Sequence, residues 1–351
     1  MILKYIKKRT AVVCLALSMT MASLTGCGSD TKLVFTTGLS GNQLFKIGSA
    51  TCTMPEIMVY LTTFYNQYAD TYGTEMWHYD FGGVSLEEHV KDVVLSKMAQ
   101  IKIMNLMAKE RDITLNEEEE KKISAAAECY YNALSEELKK REDLTKETVE
   151  MVYREYTLAH KVYTHITEAA DMEISDDEAR TVTVQEIFLK TWKVKDGEKV
   201  SMTEEEILQV AKAGKQIIER LEAGEDFAAV ASEVSGDKQL VKNYARGDVE
   251  TSFEEILFSM DEGEVSKVIE VSDGYIIVKC ISTMDYEATQ ENKLVLADQR
   301  KKEAFSEAYS EIAKNTHSQF RDKQWEKLTL SEEIHGTEAN FFEIYEEYIE
   351  Q

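Results

Sequence analysis

The chain has 351 residues, of which 43% are hydrophobic and 30% are charged, and its formal net charge is −25 at pH 7. This composition, with a single proline, excludes collagen-like and disordered chains and indicates a globular protein rich in charged helices. The acidic excess excludes nucleic acid as a partner, because phosphate repels a polyanionic chain. The length predicts two or three folding units.

The N-terminus has the pattern of a cleaved export signal. Basic residues at positions 4–9 precede an apolar stretch over residues 11–22, and Leu24-Thr25-Gly26-Cys27 follows. The apolar stretch is shorter than the roughly 20 residues that a permanent membrane helix needs. We therefore predict that residues 1–26 are a signal peptide that is removed after export.

Cys27, the residue after the predicted cut, fits the lipobox of bacterial lipoproteins, in which this cysteine carries the lipid anchor. The alternative is an ordinary secretory signal followed by an incidental cysteine. We predict a protein held at the extracytoplasmic face of the cell membrane by the lipid, with residues 27–43 as a tether. The mature chain would have 36 basic against 65 acidic residues, a formal charge of −29.

The remaining cysteines indicate neither a disulfide framework nor a metal site. Cys52, Cys129 and Cys280 are far apart, odd in number and without histidines at ligand spacing. We predict buried free thiols, no metal and no cofactor.

Residues 44–175 are predicted to form a helical domain. A short strand leads into a helix that begins at a capping box at Thr53, and a second capping box stands at Ser85. An acidic helix start at residues 117–120 and an apolar run over residues 149–166 predict two further helices.

The sequence pattern changes from helical to mixed over residues 176–286, which are predicted to form a compact α+β domain. Residues 181–189 are β-branched and extended, and a capping box at Thr203 opens an amphipathic helix after a polar loop. A helix at residues 253–258 and a strand at residues 275–281 complete the region.

The C-terminal segment, residues 287–351, returns to a helical pattern. A charged helix is predicted over residues 287–326. We expect this segment to pack on the N-terminal helical domain.

Four ordered motifs carry a resemblance in the α+β region. Residues 221–235, LEAGEDFAAVASEVS, resemble the pattern "kL..G.dF..lA..yS", and residues 252–258, SFEEILF, resemble "pFe.aaF". Gly263-Glu264-Val265-Ser266 and Gly274-Tyr275-Ile276-Ile277 follow at the expected distances. Residues 181–285 therefore resemble the parvulin-type peptidyl-prolyl isomerase domain of the PrsA and SurA families of extracytoplasmic folding factors.

The resemblance implies a fold and a function. The fold class is α+β: a small antiparallel sheet flanked by helices is inserted into a helical, chaperone-like domain formed by the N- and C-terminal parts. The implied function is a membrane-anchored foldase or chaperone that binds unfolded or newly exported polypeptides. The sequence is compatible with a monomer or a homodimer.

The resemblance also implies site residues. It places the proline pocket at Val241, Val249, Phe253 and Phe258, and an acidic site residue at Asp237. From the residue types alone, the phenylalanines fit a hydrophobic core equally well, and Asp237 fits a turn.

The sequence departs from the family where the chemistry is expected. The family's first-strand histidine falls on Glu186, its last-strand histidine falls on Ile276, and its Gly-Gly-Asp-Leu-Gly turn is replaced by residues 238–242. Glu186 is either a substitute site residue or a residue of a solvated strand face. Prolyl isomerisation requires only partial relief of a rotation barrier of about 18–20 kcal/mol, which a pocket that favours the twisted amide can supply. We predict weak or lost isomerase activity.

The sequence leaves one alternative function open and disfavours another. A non-catalytic lipoprotein that uses the same fold to bind a specific partner or peptide is favoured by the missing histidines. A hydrolase is disfavoured, because no nucleophile-and-base arrangement is recognisable in the sequence.

Overall fold

The computed structural model describes residues 33–35, 39, 41–80, 82–170, 173–235, 239–330 and 339–350. The predicted lipidation site Cys27 and the predicted site residue Asp237 lie outside these residues. The chain divides into two compact units, a helical unit of Met1–Ala170 with Lys301–Gln351 and a smaller unit of Asp171–Arg300. The predicted α+β fold class is confirmed.

The secondary structure of the described residues is as follows. The strands are β1 (Leu33–Phe35), β2 (Gln43–Ile47), β3 (Ala50–Thr53), β4 (Thr181–Lys190), β5 (Trp192–Lys195), β6 (Glu198–Ser201), β7 (Val241–Ala245), β8 (Ile269–Val271), β9 (Gly274–Ser282) and β10 (Ser318–Phe320). The helices are α1 (Met54–Tyr72), α2 (Leu86–Glu110), α3 (Glu117–Ala133), α4 (Glu136–Arg141), α5 (Lys146–Ala169), α6 (Glu204–Glu222), α7 (Phe227–Val234), α8 (Thr251–Ser259), α9 (Tyr286–Asn315), α10 (Asp322–Glu326) and α11 (Phe341–Tyr348), with a 3-10 helix at Thr74–His78.

Three predicted capping boxes begin helices in the structure. At the start of α1, the backbone N–H and the hydroxyl of Thr53 both donate to Oε1 of Glu56, at 3.0 and 2.9 Å. Ser85 at the start of α2 and Thr203 at the start of α6 make the same bonds to Glu88 and Glu206, and their hydroxyls also accept from the backbone N–H of these glutamates. Such caps satisfy backbone N–H groups that have no partner within the helix.

In the helical unit, α1 contacts α2, α5 and α11. Helix α2 contacts both α1 and α5, and α3 contacts α5 and the C-terminal helix α11. A sheet of order β1-β10-β2-β3 lies in the same unit, with β10 parallel to β1 and antiparallel to β2. One continuous hydrophobic cluster joins the helices to β2, β3 and β10.

The smaller unit is built on an antiparallel sheet of order β7-β4-β9-β8. Strand β9 begins against the end of β4, where Gly274 lies opposite Lys190. A methyl group at Gly274 would overlap the backbone carbonyl of Leu189. Only glycine therefore permits this close approach of the two strands.

Three predicted boundaries were wrong. The predicted polar loop after β4 contains the β5–β6 hairpin, and β7 overlaps the replaced turn, for which the sequence predicts only a loop. The last charged helix ends at Asn315, and β10 occupies residues that were assigned to it. Ser318 and Phe320 are buried there because β10 pairs with β2, a partner far away in sequence.

The three cysteines among the described residues are free thiols. Cys52 and Cys280 are buried, whereas Cys129 is partly exposed. Burial raises the pKa of the Cys52 and Cys280 thiols.

Within the described residues, no helix has both the length and the apolar composition to cross a membrane.

Candidate functional site on the small sheet

The sheet of the smaller unit buries a different cluster on each face. Side chains alternate between the two faces along a strand. Val182 and Val184 of β4 therefore lie on one face, where they pack with Phe253 of α8. Ile187 and Leu189 lie on the opposite face, against α6 and α7. We call the face that carries Val182 and Val184 the α8 face.

Glu186 is a buried carboxylate on the α8 face, and the residue is only 2% exposed. Its Oε1 accepts a hydrogen bond from Nζ of Lys242 at 2.7 Å, and its Oε2 accepts one from the Tyr244 hydroxyl at 2.5 Å. A buried carboxylate needs such partners, since an unpaired charge taken out of water costs several kcal/mol. The alternative of a solvated strand face for Glu186 is therefore wrong.

Strand β7 supplies both partners of Glu186. Lys242 lies opposite Val184, and Tyr244 lies opposite Val182. Residues directly opposite in an antiparallel pair share a face, so both side chains lie on the α8 face beside Glu186. The Lys242 side chain is 24% exposed against 3% for that of Glu186, so the lysine keeps some contact with water.

Phe253 is fully buried on the same face. It is 1% exposed, and the ring of Tyr244 lies 5.6 Å from its ring at an interplanar angle of 70°. Aromatic rings attract each other in this edge-to-face geometry. Tyr244 thus links the Glu186 carboxylate to the ring that the resemblance assigns to the proline pocket.

The other predicted pocket residues are only partly brought together. Val249 and Phe258 are half-buried and pack against the same cluster as Phe253. Val241, by contrast, is 49% exposed and belongs to neither cluster of this unit. It alternates with Lys242 along β7, which directs its side chain to the other face of the sheet.

Two arginines contact the ring of Phe258. The guanidinium carbons of Arg180 and Arg246 lie 5.0 and 4.5 Å from the ring centre, a distance typical of cation–π contacts. Arg180 also donates through Nη2 to the Phe258 carbonyl at 3.0 Å. The Phe258 ring is thus covered by cationic groups that the sequence did not indicate.

Ile276, at the other histidine position of the resemblance, is 8% exposed and lies opposite Phe188 in the sheet. It belongs to the cluster on the α8 face. An aliphatic side chain in this place contributes packing and offers no group for proton transfer.

Lys242 and Tyr244 are the site residues that sequence reasoning missed. A signal was present, because Val241-Lys242-Asn243-Tyr244-Ala245 contains a β-branched and an aromatic residue, types enriched in strands. The stretch overlaps the replaced turn, and the turn predicts a loop there.

The arrangement offers an apolar cluster around one carboxylate whose two oxygens each accept a hydrogen bond. Both Glu186 oxygens already accept hydrogen bonds, so this carboxylate is poorly placed to act as a general base. Within the described residues, no group of three or more histidine, cysteine, aspartate and glutamate side chains is placed to hold a metal ion.

Replacing Glu186 with alanine is expected to destabilise the smaller unit by about 2–3 kcal/mol, because Lys242 and Tyr244 lose this acceptor. Hydrogen–deuterium exchange of the β4 and β7 amides measures the effect. The control is Asp273→Asn, which removes the ion pair with Lys199 between side chains that are about half exposed. Equal exchange in the two variants would show that the buried contacts contribute nothing.

Residues 187–282 match the family described as the PPIC-type peptidyl-prolyl isomerase domain, or rotamase. These residues form a parvulin domain. The match covers β4 from Ile187 to the end of β9, and it therefore includes α8 and the strand β7 that supplies Lys242 and Tyr244. Glu186 immediately precedes the matched residues.

The similarity to known proteins extends beyond the parvulin domain. A foldase protein PrsA from Caldanaerobacter subterraneus subsp. tengcongensis is 25% identical over 318 residues, covering 88% of this chain and 94% of the relative. A foldase protein PrsA from Clostridium botulinum is 27% identical over 279 residues, covering 74% and 80%. The crystal structure of PrsA from Bacillus cereus aligns over 90% of this chain and 99% of its own, with 17% identity and a TM-score of 0.36.

Proposed function

We propose that this protein is an extracytoplasmic folding factor, anchored to the membrane by a lipid on Cys27, that binds unfolded or newly exported polypeptides. Its parvulin domain has weak or no isomerase activity. The proposal joins the parvulin domain, the length over which the PrsA relatives match, and the export pattern of the N-terminus.

The proposal of weak or lost activity is carried by the contacts of Glu186. The resemblance assigns a histidine to this position, and the carboxylate that replaces it is buried and bonded through both oxygens. Neither it nor Ile276 provides a group that is free to exchange a proton. The remaining means of catalysis is a pocket that binds the twisted amide better than the planar one.

Two assays on the purified chain test the proposal. The first follows aggregation of a chemically unfolded client, which the chain is expected to suppress. The second follows cis-to-trans conversion of a series of Xaa-Pro peptides, whose uncatalysed rate is slow enough to measure by hand mixing. We expect at most a small acceleration, and we expect the Phe253→Ala variant to abolish it.

Each result has a defined meaning. Failure to suppress aggregation, together with no acceleration, would remove the folding-factor proposal. Strong acceleration that survives in Phe253→Ala would place catalysis outside the predicted pocket.

A second function is favoured by the bonded carboxylate at position 186. The chain would then be a non-catalytic scaffold that binds one partner or peptide through the same fold. A pull-down that yields one stoichiometric partner supports the scaffold, whereas a broad set of unfolded clients supports the folding factor.

A further inference from the structure

Exposed large apolar side chains of the helical unit are concentrated in one short segment of its described residues. Among the described residues of this unit, the large apolar side chains that are well exposed are Tyr72, Tyr79 and Val84, at 60%, 62% and 45%. All three lie within thirteen consecutive residues, which run from the last residue of α1 into the connection to α2. Scattered apolar residues on a surface need no explanation, but a local concentration indicates a contact surface.

A buried aromatic framework supports this surface. The ring of Tyr72 lies 6.0 Å from that of Tyr68, which lies 6.2 Å from that of Trp77. Trp77 stacks on Tyr65 at 4.6 Å with an interplanar angle of 7°. Trp77 and Tyr65 are 3% and 0% exposed, so the exposed Tyr72 ring is connected through Tyr68 to buried rings of the core. Ring contacts of this kind reduce the entropy that Tyr72 would lose on binding a partner.

The same region carries negative charge without neighbouring positive charge in the sequence. Residues 47–90 contain neither lysine nor arginine. Asp70, Glu75 and Asp80 are exposed in this stretch, and the nitrogen of Gly83 donates to one oxygen of Asp80.

The end of α1 adds to this negative potential. A helix C-terminus carries a partial negative charge that favours nearby cations. The last turn of α1 contains Asp70 and no basic residue, so no side chain of this turn compensates the partial negative charge of the helix end. A cation supplied by a partner would relieve it.

We propose that this aromatic–acidic surface, formed by Tyr72, Tyr79 and Val84 with Asp70, Glu75 and Asp80, binds lysine- and arginine-bearing segments of unfolded polypeptides. The assignment rests on the proposed folding function and names the chemistry of its clients. Tyrosine rings attract ammonium and guanidinium groups, and the apolar stems of lysine and arginine pack along such rings. The carboxylates attract the same groups over longer distances and repel acidic segments.

The test uses labelled, unstructured peptides of equal length that share one apolar and small-residue background. They differ only in whether a fixed set of positions is lysine, serine or glutamate. Fluorescence anisotropy with the purified chain gives their dissociation constants at low and high salt. We expect the lysine peptide to bind most tightly, the glutamate peptide to bind least, and the lysine affinity to fall as salt screens the carboxylates.

Two variants locate the binding. Tyr72→Ser with Tyr79→Ser is expected to weaken binding of the lysine peptide by about tenfold or more, since it removes both exposed rings. Asp70→Asn with Glu75→Gln keeps the shape and is expected to remove most of the preference for lysine over serine. The matched control is Tyr286→Ser with Glu287→Gln, an exposed tyrosine and an adjacent exposed carboxylate in the other unit. Circular dichroism verifies that the variants are folded.

The outcomes distinguish a failure of this surface assignment from a failure of the proposed folding function. Equal affinities for the lysine and glutamate peptides, or unchanged binding in the double tyrosine variant, would overturn the assignment. If the unaltered chain still suppresses client aggregation in that case, the folding function stands and its clients bind elsewhere. If the lysine peptide binds as expected while aggregation is not suppressed, the surface stands and the folding function fails.

Discussion

The Lys102→Met variant is expected to lose about 3–5 kcal/mol of unfolding free energy from the helical unit, the range measured when one partner of a buried ion pair is removed. Nζ of Lys102 on α2 lies 2.5 Å from Oε2 of Glu56 on α1 and 2.6 Å from Oε2 of Glu155 on α5. The side chains of Lys102, Glu56 and Glu155 are 1%, 2% and 20% exposed. Without the ammonium, two carboxylates would remain close together in the core.

The loss should depend on pH. Burial raises the pKa of Glu155, Lys102 opposes this effect, and Glu56 adds to it. Because the folded-state pKa lies above the unfolded value, the stability contributed by this group falls as pH rises through the window above its ordinary value. Removing Lys102 raises the Glu155 pKa further, so the deficit of the variant should be smaller near about pH 5 than near about pH 8.

Lys102 itself contributes at the alkaline end. Burial alone would lower its pKa, but Glu155 and Glu56 together raise it above the ordinary value. The stability that it provides is therefore present up to its ordinary pKa and is lost as pH rises through the higher folded-state pKa. In the unaltered chain this loss lies well above neutral pH.

Tryptophan fluorescence during denaturation measures the effect in a Trp192→Phe background, which leaves Trp77 and Trp325 as reporters of the helical unit. The matched control is Lys146→Met, because Lys146 forms a single ion pair with Glu128 at the surface. Adding Glu155→Gln to Lys102→Met should restore part of the lost stability. A deficit equal to that of the control would show that losing the buried ammonium costs no more than losing a surface one. A deficit independent of pH would show that protonation of Glu155 does not relieve it.

The sequence predicted features that depend on neighbouring residues. The capping boxes at Thr53, Ser85 and Thr203 each need only residues within one helical turn, and all three begin helices. The fold class and the parvulin domain were also predictable, because the β-branched strand at residues 181–189 and the ordered motifs are local patterns.

Features that depend on distant contacts were missed. Strand β10 is only three residues long and exists because β1 and β2 flank it. The charge of Lys102 on an amphipathic helix predicts a surface residue. Its partners Glu56 and Glu155 lie on two other helices and reach it only in the folded unit. In the same way, Glu186 could not be recognised as a bonded carboxylate until β7 was placed beside β4.

Phe341→Ala is expected to destabilise the helical unit by about 3–5 kcal/mol, the usual cost of truncating a buried phenylalanine. Phe341 begins α11 and is fully buried. Its ring stacks on Tyr153 at 4.2 Å and lies 4.9 Å from the ring of Tyr60 and 5.4 Å from that of Tyr156. The truncation would leave a cavity among these rigid rings, which have little freedom to fill it.

The backbone of the same residue is held by the core. The Phe341 carbonyl accepts a hydrogen bond from the Tyr153 hydroxyl at 3.1 Å, and its N–H donates to the Thr63 hydroxyl at 3.2 Å. A helix as short as α11 is not stable alone in water, so these contacts determine whether it forms. Loss of the ring should therefore unfold α11 before the rest of the unit.

Hydrogen–deuterium exchange distinguishes this local effect from general destabilisation. We expect the α11 amides of Phe341→Ala to exchange rapidly under conditions in which α2 and α5 remain protected. The control is Glu347→Ala on the exposed side of α11, which should leave its protection unchanged. If α11 remained protected in Phe341→Ala, its attachment would have to come from its other buried residues, Phe342, Ile344 and Tyr345, and the central role assigned to Phe341 would be wrong.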